Sequence, residues 1–124
     1  PLDIYYTKEH EWIRVSDDGD VIIGITDHAQ DALTDIVYIE LPEAGGHCSE
    51  MEEFAIVESV KSASPIFAPL AGTITAVNET LEDAPEQINQ EPYGSGWIIK
   101  MKLDDEAAVD GLMSASDYLA MISE

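Results

Sequence analysis

A chain of 124 residues with 26 Asp and Glu against five Lys and Arg carries a formal net charge of −21. That balance works against nucleic-acid binding, which needs cations to neutralise phosphate, and an anionic membrane surface would repel it. The length suits one domain, 1–124, around a small core, and an apolar content of 45% excludes a disordered chain.

Self-repulsion on this scale opposes compaction unless ions screen it, and the screening length falls to about 3 Å in molar salt. The expected setting is therefore the salt-rich cytoplasm of a salt-adapted prokaryote. Cys48 is the sole cysteine, so no intrachain disulfide can form and a reduced compartment fits. No stretch reaches the uninterrupted apolar length of a membrane span, and "PLDIYYTKEHEW" lacks the basic and apolar regions of a signal peptide.

In chain order, "DGDVIIGIT" predicts a turn at Asp18-Gly19 and then a strand. "TDHAQDALT" is helix-compatible, with Thr26 or Asp27 as cap and Gln30 three residues past Asp27, as a capping box asks. "DIVYIELPEAGG" reads as a strand ended by Pro42 and a glycine turn. In "EFAIVESVKSASPIFAP" the residues Phe54, Ile56 and Glu58 alternate with Ala55, Val57 and Ser59, and a second strand surrounds Ile66 and Phe67. Pro65 and Pro69 restrict pairing there to edges or bulges. Gly72 predicts a sharp bend, and "TLEDAPEQINQEPYGSG" a polar surface loop. In "GWIIKMKLD", Trp97, Ile99, Met101 and Leu103 oppose Lys100 and Lys102, a strand pattern. "SASDYLAMISE" suits a C-terminal amphipathic helix with Tyr118, Leu119 and Ile122 on one face. "GDVIIGIT" and "AGTITAVN" echo one another. Short strands at regular spacing with minor helices indicate a mainly β fold, a small barrel or flattened sandwich.

Catalytic motifs are missing: no G-x-S-x-G, P-loop or G-x-G-x-x-G occurs. His10, His28 and His47 stand far apart in the chain without metal-ligand partners at usual spacing, so no metal is expected. The pair His10-Glu11 lacks the second histidine of a zinc-protease signature; Glu11 reads as solvated, and Trp12 as core or pocket wall. Lys61 is different. It sits with Val60 and Ser62 at a hairpin tip that lacks the Asn-Gly or Asp-Gly chemistry such turns favour, in a chain with few competing lysines. A lysine amine joined through an amide makes its stem the first half of a tether, the device of biotin and lipoamide carriers.

The segments "HEW", "GITDHAQDALTDIVYIELPEAG", "AIVESVKS", "PLAGTITAVNETLEDAPEQIN" and "PYGSGWIIKMK" together resemble the H-protein family of the glycine cleavage system. The resemblance implies a barrel-sandwich hybrid whose lipoate is carried on Lys61. It implies a non-catalytic shuttle. The arm accepts an aminomethyl group at glycine decarboxylase, yields it at aminomethyltransferase and is reoxidised by dihydrolipoamide dehydrogenase. By the same resemblance Glu58, Val60 and Ser62 surround the attachment site for a lipoylating enzyme, while Glu9, Glu11 and Trp12 lie near a groove that shields the loaded arm. Where some relatives carry an acid four positions after the lysine, this chain has Pro65.

Rival readings are a lipoyl domain of a 2-oxoacid dehydrogenase, whose tip usually reads Asp-Lys-Ala, and an H-like protein serving lipoyl transfer. A biotin carrier would place Met on both sides of the lysine, where Val60 and Ser62 stand. The charge yields a test of its own: thermal melts are expected to show a higher Tm in molar than in low KCl, and equal values would remove the salt adaptation.

Overall fold

A computed structural model describes residues 4–16 and 20–122. In chain order the elements are β1 (Ile4–Tyr6), β2 (Glu11–Val15), β3 (Val21–Ile25), α1 (Asp27–Leu33), β4 (Ile36–Glu40), β5 (His47–Cys48), β6 (Glu53–Ser59), β7 (Ala63–Phe67) and β8 (Gly72–Val77). They continue with α2 (Thr80–Asp83), α3 (Gln87–Gln90), β9 (Ile99–Leu103), a 3-10 helix (Glu106–Gly111) and α4 (Ala115–Ile122). One sheet has six strands in the order β1-β2-β3-β9-β8-β5, the other three in the order β4-β6-β7, and a single apolar cluster fills the space between them. This is the barrel-sandwich hybrid that the family resemblance implies, a closer description than the small barrel or flattened sandwich read from the strand spacing. The predicted turn at Asp18-Gly19 lies outside the described residues.

The period-two pattern is realised within β9, with Ile99, Met101 and Leu103 buried and Lys100 and Lys102 exposed, but Trp97 precedes the strand, is only half-buried and has the Lys100 amine 5.6 Å from its ring rather than opposing it. The two echoing segments end up as β3 and β8, which flank β9 on either side. Thr26, rather than Asp27, caps α1: its hydroxyl accepts the Ala29 backbone amide at 3.2 Å, while the Gln30 side-chain Nε2 donates to the Asp27 carboxylate at 2.8 Å.

Three expectations need correction. Gly72 does not make a bend; it opens β8 where the backbones crowd, and a Cβ there would lie 2.5 Å from the Lys102 carbonyl oxygen. The stretch read as a polar surface loop folds into α2 and α3, each anchoring one fully buried residue, Leu81 and Ile88. Its Asn89 is also structural, donating to the Thr34 carbonyl at 2.8 Å and accepting from the Ile36 amide at 2.9 Å. On α4, Tyr118 is buried but Leu119 is 58% exposed, so the apolar face is narrower than predicted.

Trp12 is fully buried and its indole N–H donates to the Pro92 carbonyl at 2.8 Å, which fixes the ring over Gly24. A Cβ at Gly24 would sit 2.7 Å from that ring. Gly24→Ala is therefore expected to cost about 1–3 kcal/mol of stability by overpacking, read from denaturant midpoints; a neutral effect would show that the indole can give way.

Candidate functional site

The hairpin of β6 and β7 closes without glycine because Ser59 takes over the turn. Its amide donates to the Ser62 carbonyl at 2.8 Å, and its hydroxyl accepts the amides of Lys61 at 3.2 Å and Ser62 at 3.1 Å. A side-chain oxygen thus replaces a backbone carbonyl, and neither Val60 nor Lys61 needs a positive φ. The Val60 amide donates to the Asp35 carbonyl at 3.0 Å and ties the apex to the start of β4. Lys61 is exposed, and its Nζ donates to the Ala32 carbonyl at 3.1 Å, in the last turn of α1, where helix carbonyls lack internal partners.

Ala32 also lines a groove of about 220 Å³. Ile25, Ala29, Leu33, Val57 and Ile66 make its walls, with Glu9, His10 and Glu11 at the β1–β2 turn and Pro65 opposite. The resting amine is therefore held by the carbonyl of a residue that lines a mostly apolar groove, with Glu9 and Glu11 also in its lining.

Glu11 reverses its sequence reading. It is 2% exposed, not solvated: Oε1 accepts the Thr7 hydroxyl at 3.1 Å and Oε2 accepts the Phe67 amide at 3.1 Å. Burial pushes its carboxyl up to about 7, against the lowering influence of those two hydrogen bonds. His10 turns the chain at φ 67° and brings its Nδ1 to 2.7 Å from the Tyr118 hydroxyl, which lies 2.7 Å from Thr26 Oγ1. The Thr26 oxygen already accepts the Ala29 amide. Both hydroxyl protons find an acceptor when Thr26 donates to Tyr118 and Tyr118 to His10 Nδ1, an arrangement that puts the neutral imidazole's proton on Nε2. Burial and the nearby His28 lower the His10 pKa.

Of the predicted groove residues, Glu9 and Glu11 line the channel and Trp12 does not. The indole packs on the other side of β2, between the Arg14 guanidinium, 5.0 Å from its centroid, and Tyr93 at 6.0 Å. Successive strand residues face opposite ways, so Glu11 and Trp12 cannot share a pocket. Around the tip, Glu58 is half-buried and Val60 and Ser62 are exposed. The histidines are less separate than their spacing suggests, since the His10 and His28 rings meet at a tilt of 37° with centroids 4.7 Å apart, while His47 pairs with Asp104 at 2.6 Å. No group of three or more potential metal ligands occurs among the described residues. Sequence reasoning missed His10 as a groove residue; its position beside Glu11 was the available signal. Among the described residues, no helix is long and apolar enough to cross a membrane.

Two sheets closed on one core, with an exposed lysine at a hairpin apex, place the chain in the barrel-sandwich hybrid class. The sequence profile described as glycine cleavage H-protein matches residues 4–124. The chain is 53% identical over 123 residues to the glycine cleavage system H protein of Chromohalobacter salexigens, covering 99% of this chain and 94% of that one. It is 47% identical over 124 residues to the H protein of Halorhodospira halophila, covering 100% and 95%. A crystal structure of a glycine cleavage system H protein from Mycobacterium marinum superimposes with a TM-score of 0.90 at 39% identity, over 100% of this chain and 99% of that one. The chain belongs to the glycine cleavage H-protein family.

The buried carboxyl makes a pH-dependent prediction. Held at about 7 rather than 4.5, Glu11 keeps its proton in the folded state while the unfolded chain releases it, so stability falls as pH rises across that interval. Glu11→Gln, which mimics the neutral form, is expected to gain up to about 3 kcal/mol over wild type at pH 8 and little at pH 5. Urea unfolding at both pH values checks this, and an offset independent of pH would refute the shifted carboxyl.

Proposed function

We infer that this chain is the lipoyl carrier of glycine cleavage, with lipoate joined through an amide to Lys61. The observation that supports this most is the placement of that amine: exposed at the hairpin apex, with its Nζ resting on the carbonyl of Ala32, a groove-lining residue. The residues fit the group. Apolar side chains from β3, α1, β6 and β7 match a hydrocarbon chain, and Glu9 and Glu11 match a cationic amine.

Once attached, the dithiolane supplies the disulfide that takes up an aminomethyl group at glycine decarboxylase, releases it at aminomethyltransferase and is restored by dihydrolipoamide dehydrogenase. The protein's own residues hold and shield. Ser59 braces the apex, so that the stem of Lys61 projects from a fixed point. The groove walls exclude water from a cargo prone to hydrolysis. Glu11, poised near neutrality, can face a cationic amine as a carboxylate, and an amine there would favour release of its proton. With Pro65 opposite, no carboxylate approaches from that wall at this position. The chain catalyses no step itself.

The rival 2-oxoacid dehydrogenase domain is disfavoured because the family match runs from residue 4 to 124, through both flanks of the hairpin. The acid excess supports a salt-rich cytoplasm as the working environment.

Lys61→Arg keeps the charge and removes the acylable amine. In protein purified from the native host, the variant is expected to lose all lipoyl mass and to reduce reconstituted glycine decarboxylation to background, while wild type carries the added mass on the Lys61 peptide. A lipoyl group found on Lys100 or Lys102 instead would overturn the site.

A further inference from the structure

The C-terminal helix reaches the groove through one side chain. Tyr118 is the buried residue of α4, and its ring stacks on Tyr6 of β1 with centroids 4.8 Å apart and planes 8° from parallel. Its hydroxyl joins two partners, Thr26 Oγ1 and His10 Nδ1, each 2.7 Å away. Those partners belong to two walls of the groove. Thr26 caps α1, which supplies Ala29, Ala32 and Leu33, and His10 lines the groove beside Glu9 and Glu11. A residue outside the lining thus ties the walls together.

His10 is also the lining residue whose charge matters most to a cationic cargo. A protonated imidazole there would compete for the carboxylates and repel an ammonium. The hydroxyl chain opposes that state. With Thr26 donating to Tyr118 and Tyr118 to His10, the Nδ1 lone pair is occupied, and a proton arriving there would leave the buried Tyr118 proton without an acceptor. Burial pushes the Tyr118 pKa up from the ordinary 10.0, so this hydroxyl stays a donor. Burial lowers the His10 pKa and His28 lowers it further, whereas Glu9 on the same turn works the other way. Glu11, pushed up to about 7, adds negative charge only above that pH. Asp27 and Asp31 of α1 line the cavity on the Tyr118 side with His28, and β7 brings Ser64 and Pro65, which carry no charge.

We propose that Tyr118 is a positioning residue of the carrier: its hydroxyl holds His10 as an uncharged imidazole, so that Glu9 and Glu11 face a cationic amine on the arm with no competing positive charge from the imidazole. The proposal rests on the carrier reading and deepens it, giving the C-terminal helix a part in retaining the cargo.

The test begins on unmodified full-length chain, where neither lipoate nor a partner enzyme is needed. In nitrogen NMR spectra of the neutral imidazole, wild-type His10 is expected to carry its proton on Nε2; a proton on Nδ1 overturns the proposal without any variant. Tyr118→Phe keeps the ring on Tyr6 and removes the hydroxyl, and the His10 pKa read by NMR titration is expected to rise toward the ordinary 6.5. An unchanged or lowered value overturns the proposal. Lipoylated chain loaded with the aminomethyl group gives the functional readout, the rate of adduct loss without aminomethyltransferase. The ratio of Tyr118→Phe to wild type cancels the Glu11 titration that both share, and it is expected to be near one at pH 8 and about tenfold at pH 6. A ratio independent of pH marks a structural role and overturns the assignment. Asparagine tolerates the left-handed backbone of His10, at φ 67°, and cannot be protonated. Tyr118→Phe/His10→Asn is therefore expected to return the pH 6 ratio toward one, and a double variant that loses the adduct as fast as Tyr118→Phe overturns the charge argument. A wild-type chain that takes no lipoyl group on Lys61 overturns the carrier reading and the role in cargo retention with it, while the hold of Tyr118 on His10 is judged by the NMR titration alone.

Discussion

The carboxylate of Glu11 joins the two sheets. It belongs to β2 of the six-stranded sheet, and its Oε2 accepts the amide of Phe67 at the end of β7 in the three-stranded one. A buried acid is costly, and here the Thr7 hydroxyl and the Phe67 amide offset that cost. Because β7 is also one arm of the lysine hairpin, this contact sets the distance between the hairpin and the β1–β2 turn, and so the width of the groove between them. The same group whose charge suits a cationic cargo therefore also aligns the walls that would hold it.

This double duty explains why Glu11 was the least legible residue in the sequence. A glutamate in a chain this acidic reads as solvated by default, and its burial depends on an amide 56 residues away. The nearness of His10 to His28 was hidden for the same reason: the left-handed turn at His10 and the Thr26 cap bring them together, and neither leaves a periodic trace. The helices α2 and α3 are single turns whose only apolar anchors, Leu81 and Ile88, sit in a polar run too short to show a helical stripe.

What could be read was local or repetitive. The alternation in β9 and most of β6 follows from strand geometry alone, and the missing turn residues at the tip drew attention to Lys61 before any fold was known. Even there, the sequence supplied the anomaly and the structure its resolution: Ser59, read only as the end of a strand, carries the turn with its hydroxyl. The bulge at Val37 marks the limit of such reading, since an apolar run such as "IVYI" gives no sign of which residue has lost its partner.

Pro65 departs from the acid that some relatives carry, yet its place in β7, the outer strand of its sheet, gives it another effect. A proline offers no amide hydrogen to an incoming strand, so an identical sheet cannot zip onto this border in regular register. Neighbouring copies are thereby discouraged from stacking border to border, and the groove that Pro65 lines stays uncovered on that side.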